Sequence, residues 1–192
     1  MTPFKDYGDI KADFERYELT INKLPRDLKG EALDLGVVNP FTPILKKNQP
    51  QLVITNTNAE LDFDIDKLPF EDKSFDFIFS FEVLEHLMNP LWSLLECRRV
   101  LKDNGRICLT TPKGVFPPAM WLNTHFHEID AKRIRIIAER AGLRVNQLDR
   151  FNKSPFYWWK MGVFRPTLRI LIGGWFYIEL EKNLNKTVKL ED

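Results

Sequence analysis

The chain has 192 residues, with 28 Lys plus Arg against 27 Asp plus Glu, a net charge of +1, and 44% hydrophobic and 29% charged residues. This describes one soluble globular domain that buries its own core, and it excludes a disordered or collagen-like chain. The near-balance of charge gives no reason to expect nucleic acid as the main partner. Cys97 and Cys108 are too few for a disulfide framework or a zinc site of their own, and read as buried thiols in a reducing compartment. The polar, acidic start MTPFKDYGDIKADFERYE argues against a signal peptide. The longest apolar run near the C-terminus, ILIGGWFYI, is about half a membrane span. The expected compartment is the cytoplasm, with no transmembrane segment; peripheral contact with a membrane surface stays open.

Phe14, Tyr17 and Ile21 recur at near-helical spacing and predict a helix over about 9–23. EALDLG is a buried strand running into a glycine turn. Asn39-Pro40 predicts a helix start, because Asn caps and Pro suits the first turn; Pro50 stops that helix after about Lys47. QLVITN is the second strand by its β-branched run. ELDFDI is a candidate short third strand, and Phe75–Phe81 is a strongly apolar fourth. Asn89-Pro90 starts another helix, which KDNG should end with Gly105 as a left-handed cap. RICLTT is the fifth strand. Asp130 caps AKRIRIIAERAG, with Ile134, Ile137, Ala138 and Ala141 inward. LRVNQLDRF and WFYIELEKN alternate as strands, and they should pair antiparallel. The order predicts an α/β fold, a mostly parallel sheet with helices on both faces. Ligands then belong at the carboxyl ends of the strands, at the topological switch point.

LPFEDKSFDFIFSFEVLEHLMNPLWSLLECRRVLKDNGRICLTTP, Leu68 to Pro112, closely resembles the second half of the S-adenosylmethionine (SAM) dependent methyltransferases of the Rossmann-like class, type 11 branch. EALDLG resembles the first strand and glycine motif of that family, and HFHEIDAKRIRIIAERAGL the helix after its fifth strand. The resemblance implies a Rossmann-like sheet of seven strands, or six, with an antiparallel last strand, and SAM as cofactor. By position it implies Asp34, Leu35 and Gly36 at the methionine end of SAM, where a glycine lets backbone come close. It puts Asp64 near the adenine amine and Ile65 beside the ring, with Ser80 and Phe81 next to the sulfonium. Asn56 stands where the family has an acid for the ribose hydroxyls. The glycine motif is degenerate: Val38 and Pro40 stand where its second and third glycines belong, and a β-branched residue disfavours positive φ. The helix between the second and third strands is missing. No G-x-G-x-x-G, P-loop, GxSxG or CxxC motif is present.

Glu82, Glu85 and His86 fall on one turn, and some metal-dependent O-methyltransferases use a similar Glu-x-x-Glu-His with a distant histidine. Such a site would suit magnesium or manganese and would take His125 or His127. EVLEHL also recurs in this branch where no metal is implied, so no metal site is assigned. If the acceptor loses a proton, His127 and Glu82 are the candidate bases. Between residues 151 and 178 lie nine aromatics, four cations and no acid up to Ile178. This aromatic, basic excursion reads either as core cover with snorkelling cations or as a lid suited to an anionic or lipid-like substrate. The expectation is one domain over 1–192 that methylates a small-molecule acceptor. The alternative is a methyltransferase-like binding or scaffold protein without catalysis.

Overall fold

The computed structural model describes residues 14–114, 124–152 and 174–185. In chain order these form α1 (Phe14–Ile21), β1 (Lys29–Asp34), α2 (Phe41–Asn48), β2 (Gln51–Asn56), β3 (Phe75–Phe81), a single 3-10 turn (Leu84–His86), α3 (Pro90–Val100), β4 (Leu101–Pro112), α4 (Ala131–Arg140), β5 (Leu143–Phe151) and β6 (Trp175–Lys182). One six-stranded sheet runs β2-β1-β3-β4-β6-β5. β2, β1, β3 and β4 are parallel, and β6 pairs antiparallel with both β4 and β5. The architecture is the mixed α/β sheet expected, with six strands.

Alternation along each strand divides the core between the two faces. Leu33, Ile78, Ile107, Leu109, Ile178 and Leu180 face Leu94, Cys97 and Val100 of α3 and Ile134 and Ala138 of α4. Their neighbours Ala32, Phe79, Cys108 and Tyr177 face the other way, with Leu45 of α2, Leu24 and Leu28. Asn89 and Asp130 cap α3 and α4 as expected, whereas α2 starts one residue late, at Phe41, with Pro40 in the cap position and Asn39 just ahead of it. Asn39 Oδ1 accepts the Phe41 amide at 2.8 Å, Asn89 Oδ1 the Trp92 amide at 3.3 Å, and Asp130 Oδ1 the Arg133 amide at 2.9 Å.

Two expectations fail. ELDFDI is not a strand, because its own carboxylates satisfy the local backbone. Asp62 Oδ1 accepts the Asp64 amide at 2.9 Å, Asp66 Oδ2 accepts the Asp62 amide at 2.8 Å, and the Asp62 carbonyl accepts from Ile65 and Asp66. Asp side chains that offer such turns compete with a ladder. Gly105 is not a left-handed cap. α3 gives way directly to β4 at Leu101, and Gly105 sits where the β3–β4 register shifts. A Cβ there would lie 2.7–2.8 Å from the Leu101 side chain and the Asp76 carbonyl, so the glycine is needed for close approach.

The excursion lies mostly outside the described residues, Trp158 and Trp159 included. Its last residues, Trp175 to Ile178, belong to β6, and Trp175 stacks on Phe151 with centroids 6.1 Å apart.

Candidate functional site

After β1 the chain goes through α2 to β2 on one side; it then returns to β3 on the other side of β1. The connections leaving β1 and β3 therefore diverge, which opens a crevice at their carboxyl ends. The cleft found there, counted with the solvent space at its mouth, spans about 520 Å³. It is lined by Leu35, Gly36, Val37, Asn39, Asn58, Ala59, Leu61, Phe63, Phe81, Glu82 and Val83.

Its floor is the turn after β1. Gly36 has φ +125°, a region L side chains rarely adopt, and open space where a Cβ would stand. The Gly36 amide donates to Thr57 Oγ1 at 2.7 Å, and the Thr57 amide donates to the Asp34 carbonyl at 3.2 Å. Asn56 Nδ2 donates to Asp34 Oδ2 at 2.9 Å and to the Gly36 carbonyl at 3.3 Å. The end of β2 thus clasps the end of β1. Burial pushes the Asp34 carboxyl up to about 7, against the opposing pull of Asn56 and Lys46.

The clasp explains the degenerate motif. Val38 is 69% exposed, and among the described residues only Asp27, Lys73 and Glu82 are non-glycines at positive φ. The turn needs left-handed backbone at Gly36 and not at Val38 or Pro40. Asn39 and Thr42 support the following helix from within, the Asn39 amide donating to Thr42 Oγ1 at 3.2 Å.

Of the residues assigned to SAM by resemblance, Leu35, Gly36 and Phe81 line the cleft, and Asp34 and Asn56 hold its floor. Ser80 is buried, with no hydrogen-bond partner for its Oγ, and is not on the wall. Asp64 Oδ1 accepts the Asn89 amide at 2.7 Å, ahead of α3, and Ile65 is 72% exposed. Neither lines the cleft; Phe63 does. Thr57, Asn58 and Phe63 went unnoticed in the sequence. Thr57 had a usable signal, a hydroxyl one residue past the strand end that faces the glycine turn.

Glu82 stands at the rim with φ +57°, a strained value for a glutamate. Its Oε2 accepts Trp175 Nε1 at 2.8 Å and pairs with Arg16 of α1 at 2.7 Å. Behind it an aromatic series runs from α1 to β3: Tyr17 stacks on Phe41 at 4.9 Å, and Phe41 meets Phe81 edge-on at 5.1 Å. His127 is not on the cleft wall; its Nε2 lies 3.4 Å from the Met88 carbonyl oxygen.

The candidate metal residues separate. Glu82 is engaged by Arg16 and Trp175, and His127 faces Met88. Glu85, His86 and His125 come together, with donor atoms all within 4.8 Å of one another. Burial raises the Glu85 carboxyl well above its usual range, helped by the Glu82 charge, and lowers His86.

Comparison with known proteins finds methyltransferase-like sequences and folds. Residues 40–109 match the methyltransferase domain family of type 11. A probable S-adenosylmethionine-dependent methyltransferase of Mycolicibacterium smegmatis is 35% identical over 83 residues, 41% of this chain and 32% of that protein. The chain spans about a third or less of the length of the curated relatives it matches. Among solved structures, Haemonchus contortus phosphoethanolamine N-methyltransferase 2 in complex with S-adenosyl-L-methionine aligns with TM-score 0.63 at 13% identity, over 88% of this chain and 52% of that one. The [4+2]-cyclase SpnF aligns with TM-score 0.62 at 13% identity, over 88% and 81%. These likenesses show a Rossmann-like methyltransferase fold. No helix among the described residues is long and apolar enough to cross a membrane.

Proposed function

We propose that this chain, whose residues 40–109 match the type 11 methyltransferase domain family, holds SAM in the cleft at the carboxyl ends of β1 and β3 and methylates a small-molecule acceptor. The observation that carries this reading is Gly36. It is left-handed, it is clasped by Thr57, and it has free space on the cleft side. Such a turn lets a ligand approach backbone that a side chain would cover. Asn58 adds a polar side chain to the wall, while Leu61 and Phe63 supply apolar surface of the kind a nucleobase ring packs on. The residues present therefore fit the cofactor, which when bound supplies an activated methyl on a sulfonium.

The chain contributes position more than chemistry. Phe81 and Val83 form the wall beside Glu82, and a rigid wall fixes the angle and distance of an acceptor. Where the acceptor carries a proton to lose, Glu82 is the base we assign, because its carboxylate is the one on the cleft wall. Arg16 and Trp175 orient it. The scaffold reading rested on Val38, Pro40 and Asn56. Val38 is exposed and does not line the cleft, and Asn56 supports the turn, so neither obstructs it. An anionic or lipid-like acceptor and a cytoplasmic location remain part of the proposal, the latter supported by the two free, buried thiols.

Calorimetric titration with SAM and with its demethylated product tests this reading. One site with micromolar affinity, about −8 kcal/mol, is expected. Absence of binding at millimolar cofactor would contradict it.

A further inference from the structure

We propose that Glu85, His86 and His125 form a site for a transition-metal dication of the zinc class, in which Glu128 and the Thr124 carbonyl orient the two imidazoles. The inference does not rest on the cofactor reading, because the cluster lies beyond the cleft wall.

Parallel pairing of β3 and β4 brings the segments that follow them to one edge of the sheet. Glu85 and His86 are consecutive on the 3-10 turn after β3; His125 comes from the segment after β4. Two amides lock the segments together: Phe126 and His127 donate to the Glu85 carbonyl at 2.8 and 3.2 Å. The His86 and His125 rings then meet edge-on with centroids 4.9 Å apart.

Each imidazole already has one nitrogen directed at an oxygen. His86 Nδ1 lies 2.9 Å from the Thr124 carbonyl oxygen, and His125 Nδ1 lies 2.9 Å from Glu128 Oε1. A carbonyl can only accept, so His86 carries its proton on Nδ1, and Nε2 is the ring nitrogen that bears the lone pair a metal ion uses. The carboxylate of Glu128 sets His125 the same way. This carboxylate–histidine arrangement is the one that orients metal-binding imidazoles.

Glu85 supplies the third donor. Its side chain is buried, its Oε2 receives the Thr111 hydroxyl at 3.3 Å, and its Oε1 has no hydrogen-bond partner. A buried carboxylate oxygen with no partner is costly, and it requires either a proton or a cation. Two imidazoles with one carboxylate favour zinc, cobalt or ferrous iron; magnesium and calcium prefer sites built of oxygen alone. Bonds of about 2.0 Å at tetrahedral angles put donors about 3.3 Å apart, so an ion would draw this set inward by about an ångström.

The test is titration of the metal-stripped chain with Zn²⁺ by calorimetry and with Co²⁺ by visible absorbance. One ion per chain is expected, and the cobalt form should show the intense bands of four- or five-coordination. His125→Ala and Glu85→Gln should each weaken binding at least tenfold. Glu128→Gln, which keeps size and burial, should weaken it by about 10–100-fold through the orientation of His125. His127→Ala should leave it within twofold. Lack of saturable uptake up to about 1 mM Zn²⁺ would overturn the proposal in favour of a protonated Glu85. Uptake that survives both His125→Ala and Glu128→Gln would overturn it equally.

Discussion

Gly36 decides the site at the scale of one residue. Its left-handed backbone costs an alanine about 1–3 kcal/mol. The space around its Cβ position means that none of this comes from a clash within the chain. Gly36→Ala should lower the denaturation midpoint by that amount and weaken SAM binding, because the added methyl enters the cleft; unchanged binding would separate Gly36 from the cofactor. Asp34 beside it carries a raised carboxyl, at about 7 against an ordinary 3.8. The native state therefore takes up this proton more readily than the unfolded chain. Its contribution to stability falls as pH rises from about 4 to about 7 and is constant above that. At about 1.4 kcal/mol per pH unit the whole span is about 4 kcal/mol at most. Urea unfolding of Asp34→Asn and wild type across that range should show the mutant losing less stability. Parallel curves would show that Asp34 is ionised throughout.

The loop before β3 shows how one element is held by another. Arg99 of α3 pairs with Glu96 and Asp72 and donates to the Leu68 and Phe70 carbonyls, while Glu96 accepts the Leu68 amide at 2.9 Å. Arg99→Ala leaves the buried Glu96 carboxylate without its partner and should cost about 3 kcal/mol, read as a shift in the urea midpoint. Arg99→Lys should recover only part of this, since an ammonium cannot span four acceptors in one plane; full recovery would show that charge alone suffices. α2 starts one residue past the expected place, at Phe41, whereas the starts of α3 and α4 were legible in the sequence because Asn89 and Asp130 act locally, through side chains within three residues of the amides they serve. The missing strand at ELDFDI was not, because its apolar alternation was right while its aspartates preferred their own backbone. In the site, Leu35, Gly36, Phe81 and Glu82 were legible from motif position. Thr57, Arg16 and Trp175 were not, since each reaches the site only through the packing of distant segments.

For the whole molecule, the sheet order alone makes the cleft. Strands β1 and β3 are neighbours in space, although residues 35–74 of the chain lie between them. The residues that line the cleft come from the turn after β1, the segment after β2, and the end of β3 with the two residues that follow it. The central claim is that this crevice holds the cofactor. Amide chemical-shift mapping of the isotope-labelled chain titrated with S-adenosylhomocysteine tests it most directly. The largest shifts should fall on Gly36, Val37, Thr57, Phe63, Phe81 and Val83. Shifts centred instead on α4 and β5, or no shifts at millimolar ligand, would contradict it.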